Sequence, residues 1–154
     1  KKFWMEKEKF FCLALDKNKR QRKAITSNPG HLLFTGIIEK EKIDFVIKRL
    51  FKDDLWTPYG IRNHSQKEKD FDPKSYHLGS VWPHDNWIIA QGLKKLGLKR
   101  EYRKIKNAIF KAFLKIGSLP EFYGFEKGKI IRISGACYPQ AWSSAALFNF
   151  LTSE

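Results

Sequence analysis

Residues 75–93 read SYHLGSVWPHDNWIIAQGL, and this stretch changes character in its middle. Its first half gathers aromatic and polar residues around Gly79 and Pro83, a mixture that suits the half-open wall of a ligand pocket. Its second half is an apolar run. Ser80 stands before that run, and serine is a common helix N-cap. The stretch therefore predicts a pocket wall that leads into a buried helix from Ser80 to about Gly97.

Helical signals recur on both sides of this stretch. Pro29 stands at the first position of a short helix, which the apolar run from Leu32 continues. Apolar residues at helical spacing predict amphipathic helices over residues 39–52 and 102–116. A last helix is expected from Gln140 onward. The chain is therefore predicted to be all-α.

The remaining segments are a hairpin and long connections. Two apolar runs flank a charged tip between Phe10 and Ile25, which predicts a small β-hairpin near the N-terminus. Periodicity vanishes between Asp53 and Gly79, which predicts an irregular connection. Three loops combine aromatic and polar residues, and we expect them to converge at one end of a single domain (1–154) if the helices are antiparallel neighbours. These loops are Leu55 to Trp82, Leu119 to Phe125 and Ala136 to Trp142.

The charge balance raises the question of a nucleic-acid partner. Thirty Lys and Arg against sixteen Asp and Glu give a formal net charge of +14, which attracts polyanions. The excess is scattered along the chain, with one denser cluster at Lys17–Lys23. A solvated loop tip explains that cluster as well as a phosphate contact does, so we do not expect nucleic acid to be the partner.

Cysteine and histidine spacing indicates no metal or other cofactor. Cys12 and Cys137 lie far apart without a zinc-site spacing, and the four histidines form no metal-binding pattern. No apolar run approaches the ~18 residues of a membrane helix, and no signal-peptide pattern opens the sequence. We therefore expect a cytoplasmic protein without a membrane partner.

Glu121 stands in SLPEFYGF, after a proline and among three aromatic residues. Such a carboxylate is either a solvated loop acid or an active-site acid or base whose pKa is tuned by partial desolvation. Aromatic faces that stack on sugar C–H groups, together with polar side chains for hydroxyls, are typical of carbohydrate sites. From the residues alone, both interpretations of Glu121 stay open.

Five segments, in order, resemble the C-terminal part of the amylo-α-1,6-glucosidase family, the glycogen-debranching type of glycoside hydrolase. They are SNPGHLLFTGI, YGIRNHS, SYHLGSVWPHDNWIIAQGL, LPEFYGF and YPQAWSSAALF. The resemblance implies an (α/α)6 toroid of the six-hairpin glycosidase type, with the active site at one end of the ring. It also implies inverting hydrolysis of an α-glucan, glycogen or an oligosaccharide, with Glu121 as the general base that activates water.

The same resemblance implies a set of substrate-binding residues. Trp82 would stack near the sugar, and the histidine or carboxylate side chains beside it would reach hydroxyls or orient their neighbours. The alternative is that Asp85 and Asn86 only cap a helix and that His84 packs in the core. For members on other loops, the alternative is structural support of the pocket wall. The full set is Trp82, His84, Asp85, Asn86, Tyr76, His77, Arg62, Gln140 and Trp142.

The resemblance is incomplete, because the segment that carries the general acid in this family has no counterpart here. The predicted helices are also too few for a full toroid. We therefore expect the closing part of a ring, whose partner is the missing N-terminal half or another copy of the chain. Two alternatives remain, a noncatalytic α-glucan-binding fragment and a basic nucleic-acid-binding protein. Convergence of Glu121, Trp82 and Asp85 in one cleft favours the carbohydrate interpretations.

Overall fold

Five α-helices form the body of the protein in a computed structural model that describes residues 2–153. They follow a 3-10 turn at Asn28–Gly30 and confirm the helices predicted from periodicity. Both α1 and α4 end at a glycine in the left-handed conformation, Gly36 and Gly117, as is common for helix C-termini. The helices are α1 (His31–Thr35), α2 (Lys40–Leu50), α3 (Pro83–Lys95), α4 (Lys99–Ile116) and α5 (Ala141–Thr152).

Four short antiparallel strand pairs lie within residues 2–153, two before the first helix, one between α2 and α3, and one between α4 and α5. The pair β3/β4 confirms the predicted hairpin with its basic tip, whereas β5/β6 lies inside the connection that was predicted to be irregular. The pair β7/β8 was not predicted, and its turn has positive φ at Lys127 and Gly128, the backbone that tight hairpins favour. The strands are β1 (Trp4–Met5), β2 (Phe10–Phe11), β3 (Ala14–Leu15), β4 (Gln21–Arg22), β5 (Trp56–Thr57), β6 (Gly60–Ile61), β7 (Gly124–Glu126) and β8 (Lys129–Ile131).

The start of α3 differs from the prediction, because the helix begins at Pro83 and not at Ser80. The Ser80 hydroxyl is occupied elsewhere: it donates to the Tyr76 carbonyl at 3.1 Å and accepts the Trp82 indole N–H at 3.0 Å. Pro83 then provides a first helical residue that needs no N–H partner. Ser80 therefore fixes the loop before the helix and does not cap it.

Helix α3 lies at the centre of the core, packed against α1, α4 and α5. Its Ile89, Ala90 and Leu93 are fully buried. The contact with α1 is close enough to require two glycines. A Cβ on Gly92 would lie 2.6 Å from the Phe34 backbone nitrogen, and one on Gly30 would lie 2.7 Å from Cγ1 of Ile89. The backbones of α1 and α3 therefore meet in a fixed arrangement.

Helix α5 is apolar around its circumference, although only one side packs on the described core. Ser143, Ala146 and Phe150 are buried, whereas Phe148 and Leu151 are 68% and 56% exposed. A groove of about 330 Å³ separates this face from α4. Within residues 2–153, no helix has the length and apolarity needed to cross a membrane. The same residues contain no group of His, Cys, Asp and Glu side chains that could hold a metal ion.

Candidate functional site

The three aromatic and polar loops converge, as the sequence predicted. A small apolar cluster takes one residue from each of them, Trp82, Phe122 and Ala136. Beside it opens a cleft of about 390 Å³, which also reaches the 3-10 turn before α1 and the first turn of α3. The cleft is lined by Ser27, Asn28, Asn63, Tyr76, His77, Trp82, His84, Asp85 and Trp142.

Glu121 does not itself line this cleft but bonds to Tyr76, which does, and both its backbone and its carboxylate are held in place. Its N–H donates to the Cys137 carbonyl at 2.9 Å, and two residues later Tyr123 pairs with Val81 as in a short β-bridge. Its Oε1 accepts the Tyr76 hydroxyl at 2.7 Å, and its Oε2 accepts a long 3.4 Å bond from the Cys137 N–H. With 7% of the residue exposed, Glu121 is a nearly buried acid with spare acceptor capacity, and not a solvated loop acid.

Trp82 forms the floor of the aromatic part of the site. Its ring stacks on Phe122 with centroids 4.9 Å apart and lies parallel to His77 at 6.0 Å, and only 6% of the residue is exposed. The edge of Tyr76 packs against it at 4.6 Å. The Trp82 ring is therefore largely covered by its own aromatic neighbours.

Trp142, in contrast, presents an exposed indole. It is 47% exposed and stacks on His84, with ring centroids 4.9 Å apart. Burial lowers the pKa of His84 below its ordinary value, which favours the neutral ring at neutral pH. Nδ1 of His84 is buried and has no partner among the described residues. The pair is thus a stacked aromatic surface that includes a buried nitrogen without a partner among the described residues.

Asp85 forms an ion pair that the sequence did not predict. His31, the first residue of α1, places its Nε2 2.6 Å from Oδ1 of Asp85, on the first turn of α3. Burial lowers the pKa of His31, but the hydrogen bond and negative charge of Asp85 outweigh it and leave this pKa above its ordinary value. Oδ2 of Asp85 is buried without a partner among the described residues.

Three of the predicted substrate-binding residues lie outside the cleft. Arg62 donates to the carbonyls of Gly79 and Phe125, and its burial lowers its pKa to about 10. The Asn86 amide accepts from the Ile61 N–H and donates to the Ile61 and Trp82 carbonyls, so it ties β6 to α3. Gln140 immediately precedes α5. Arg62 and Asn86 are therefore scaffold contacts behind the site in this structure.

Comparisons with known proteins support a glycoside hydrolase. Residues 1–131 match the family model described as the mannosylglycerate hydrolase MGH1-like glycoside hydrolase domain. Mannosylglycerate hydrolases MGH1 and MGH2 of Selaginella moellendorffii are each 27% identical over 121 residues, 77% of this chain and 23% of theirs. These comparisons do not support glycogen debranching specifically.

Solved structures share the fold. The chain superposes on an uncharacterized conserved protein from Thermus thermophilus with a TM-score of 0.81, at 22% identity, over 97% of this chain and 36% of that one. A GH63 mannosylglycerate hydrolase from the same organism, in complex with glucose, gives a TM-score of 0.77 at the same identity and coverage. The chain therefore spans about a quarter of the curated relatives and about a third of these structures.

Proposed function

The chain belongs to the family of mannosylglycerate hydrolase MGH1-like glycoside hydrolase domains, and from this premise we propose that it builds the base side of a glycosidase active site. Glu121 is the general base, and the substrate is a glycoside of a small hydroxy acid such as glycerate. The observation that carries the proposal is the Glu121 carboxylate, which is buried beside an aromatic cleft and oriented by Tyr76 and by the Cys137 backbone.

The proposed reaction inverts the anomeric carbon. Glu121 takes a proton from a water molecule as the water oxygen attacks that carbon, and the bond from this carbon to the leaving oxygen breaks. The leaving oxygen takes its proton from a second carboxyl group. Asp85 is the one carboxyl group that lines the cleft within residues 2–153, and its Oδ1 already accepts the hydrogen bond from His31. This chain spans about a third of its structural relatives. We therefore assign the general acid to the part of the fold that this third does not include.

The exposed face of α5 supports a larger helical assembly. A helix that is apolar around its circumference is typical of a buried position, and an apolar face of this kind marks an interface. Phe148 and Leu151 of α5 and Leu114 of α4 are each more than half exposed. We propose that the remaining helices of an (α/α)6 toroid cover this face and close the ring.

Sugar contacts are proposed for the open side of the cleft. The exposed Trp142 indole offers a surface for the C–H face of a hexose. The Asn28 amide lines the cleft and has no hydrogen-bond partner among the described residues. Trp82 supports this surface from below, with its ring packed against Phe122.

Hydrolysis assays on the protein as expressed from its own gene test the proposal. Mannosylglycerate and glucosylglycerate are compared with a branched dextrin, because the dextrin is the substrate implied by the amylo-α-1,6-glucosidase resemblance. Glu121→Gln should lower kcat by about 10²–10⁴, the usual contribution of a general base. The matched control is Glu126→Gln, since Glu126 is an exposed acid nearby on β7. Full activity of Glu121→Gln would remove Glu121 from the base role.

Chemical rescue then tests whether Glu121 acts on the face of the anomeric carbon opposite the leaving oxygen. In Glu121→Ala, azide needs no deprotonation and should attack the anomeric carbon in place of water, while the leaving oxygen is still protonated by the general acid. The expected product is a glycosyl azide of inverted configuration, identified by NMR. A product of retained configuration would contradict an inverting site.

A further inference from the structure

The His31–Asp85 pair joins α1 and α3 at a close contact between the two helices. His31 follows Gly30 directly, and Asp85 lies one turn before Ile89, the residue against which Gly30 packs. Gly92 brings the two backbones together one turn further along α3. Since this contact already fixes α1 on α3, the ion pair is not needed to join the two helices.

Asp85 uses only part of its hydrogen-bonding capacity. An ionised carboxylate has about four lone-pair positions, and the described contacts of Asp85 fill one of them, at Oδ1. The residue is only 8% exposed, yet it lines the cleft. A buried acceptor without a partner costs roughly 1–3 kcal/mol and calls for an explanation in a native structure.

We propose that His31 is a positioning residue for sugar recognition, which holds the Asp85 carboxylate so that its unused lone pairs accept a hydroxyl hydrogen from the sugar ring. This inference rests on the proposed function and identifies one polar contact of that site. The imidazole suits the role because it is a rigid donor with one ring nitrogen on Oδ1, which leaves Oδ2 for the ligand.

A purely structural pair would look different, and the molecule contains one. Arg49 forms a two-pronged contact with Asp54, at 2.9 Å to Oδ1 and 2.6 Å to Oδ2, and the Ser65 hydroxyl also donates to Oδ2. Asp54 is 2% exposed and lies outside the cleft. Asp54 therefore serves as the matched control for Asp85.

The test measures how strongly the protein distinguishes a sugar from its deoxy analogues. Binding of mannose, glucose and their 2-, 3-, 4- and 6-deoxy forms is measured by calorimetry in a Glu121→Gln background, so that no turnover is needed. One deoxy sugar should bind about tenfold to a hundredfold more weakly than its parent, as expected for the loss of a hydrogen bond to a charged group. Asp85→Asn should reduce this ratio to a few-fold, whereas Asp54→Asn should leave it unchanged.

The positioning role of His31 is tested by two replacements. His31→Leu should reduce the same ratio as Asp85→Asn does, and His31→Gln should restore most of it because the amide N–H can still donate to Oδ1. Thermal unfolding of each variant confirms that it is folded. If the ratio of affinities between the parent sugar and its deoxy form is unchanged in Asp85→Asn and His31→Leu, the inference is wrong while the proposed function stands. If no hexose binds at all, the proposed function fails as well.

Discussion

Asp54 and Asp85 are both nearly buried and both paired with a basic side chain, yet they lie in different regions and are used differently. Asp54, shortly after the end of α2, accepts hydrogen bonds at both oxygens from Arg49 and Ser65. Asp85, at the cleft, accepts one from His31 and leaves Oδ2 without a partner among the described residues. Burial and ion pairing are therefore alike in the two acids, and the difference between them is the unused acceptor capacity of Asp85.

Glu121 lies between these two cases. One of its oxygens accepts a short bond from Tyr76, and the other accepts only the long contact from the Cys137 N–H. A carboxylate that is oriented but not saturated can still take a proton from water, which is what the proposed base must do. The three acids thus form a series from fully satisfied to mostly unsatisfied.

The largest effect that separates the two regions is expected from Asp54→Asn. Removing one member of a buried ion pair costs about 3–5 kcal/mol, which corresponds to a fall in Tm of roughly 10 °C for a chain of this size. Activity per folded molecule should not change. Asp85→Asn should lower Tm much less. Equal losses of Tm in thermal unfolding of the two variants would contradict the distinction.

Alkylation of Cys137 is expected to affect the cleft alone. Its thiol is exposed and its backbone contacts Glu121, whereas Cys12 is buried and burial raises the pKa of its thiol. N-ethylmaleimide should therefore label Cys137 selectively and lower activity on the order of 10²-fold by displacing the base, with Tm unchanged. Mass spectrometry gives the site of labelling. Cys137→Ser should resist inactivation, and full activity of the labelled protein would contradict the placement of Glu121.

Tyr76→Phe should have a smaller effect. It removes the short hydrogen bond to Oε1 and leaves Glu121 with the contact from Cys137. Because a hydrogen bond to a charged group contributes about 1.5–3 kcal/mol, we expect kcat to fall by about tenfold or somewhat more. KM should change less than kcat, which steady-state kinetics would show. The control is Tyr59→Phe, whose hydroxyl has no described hydrogen bond and lies away from the cleft.

The smallest predicted effect concerns pH: the Arg49–Asp54 and His31–Asp85 pairs should lose their contributions to stability in opposite directions of pH change. Burial raises the pKa of Asp54, but the bonds from Arg49 and Ser65 outweigh it and hold this pKa below its ordinary value, so its stabilisation is lost on acidification below about pH 4. The pKa of His31 is raised. Its stabilisation is therefore full below about pH 6.5 and is lost as pH rises through the folded-state value.

Urea unfolding at several pH values measures this difference. The stability gap between wild type and Asp54→Asn should close toward acid, and the gap for His31→Gln should close toward alkali. The His31 gap should stay below about 1 kcal/mol because its side chain is 35% exposed and the pair is screened by solvent. Gaps that close in the same direction would contradict the assignment of the two pairs.

The sequence predicted the elements that depend on neighbours in the chain. Apolar spacing within one helix defined α2 and α4, and the charged tip between two apolar runs defined β3/β4. The hairpin β7/β8 was missed because strands of three residues are too short to show an alternating pattern. Residue type alone predicts a cap at Ser80, whereas its bonds to Tyr76 and Trp82 depend on the folded loop.

The candidate site was predicted where its residues cluster in sequence and missed where they do not. Trp82, His84 and Asp85 fall within four positions, and a mixed aromatic and polar composition marks them. His31 lies 54 positions from Asp85, and no pattern around it indicates that it would bind an acid at the cleft. The side-chain bond from Tyr76 to Glu121 spans 45 positions and depends equally on the folded loops.

The glycine contact between α1 and α3 has a consequence for engineering. Replacing a glycine inside a helix by alanine commonly stabilises a protein by a few tenths to 1 kcal/mol, and Gly92 would be an obvious target of such a search. Here the added methyl group would collide with the Phe34 backbone and push α1 outward, carrying His31 with it. A search for stabilising substitutions that relied on helix propensity alone would therefore choose one that disturbs the His31–Asp85 pair before it gains any heat resistance.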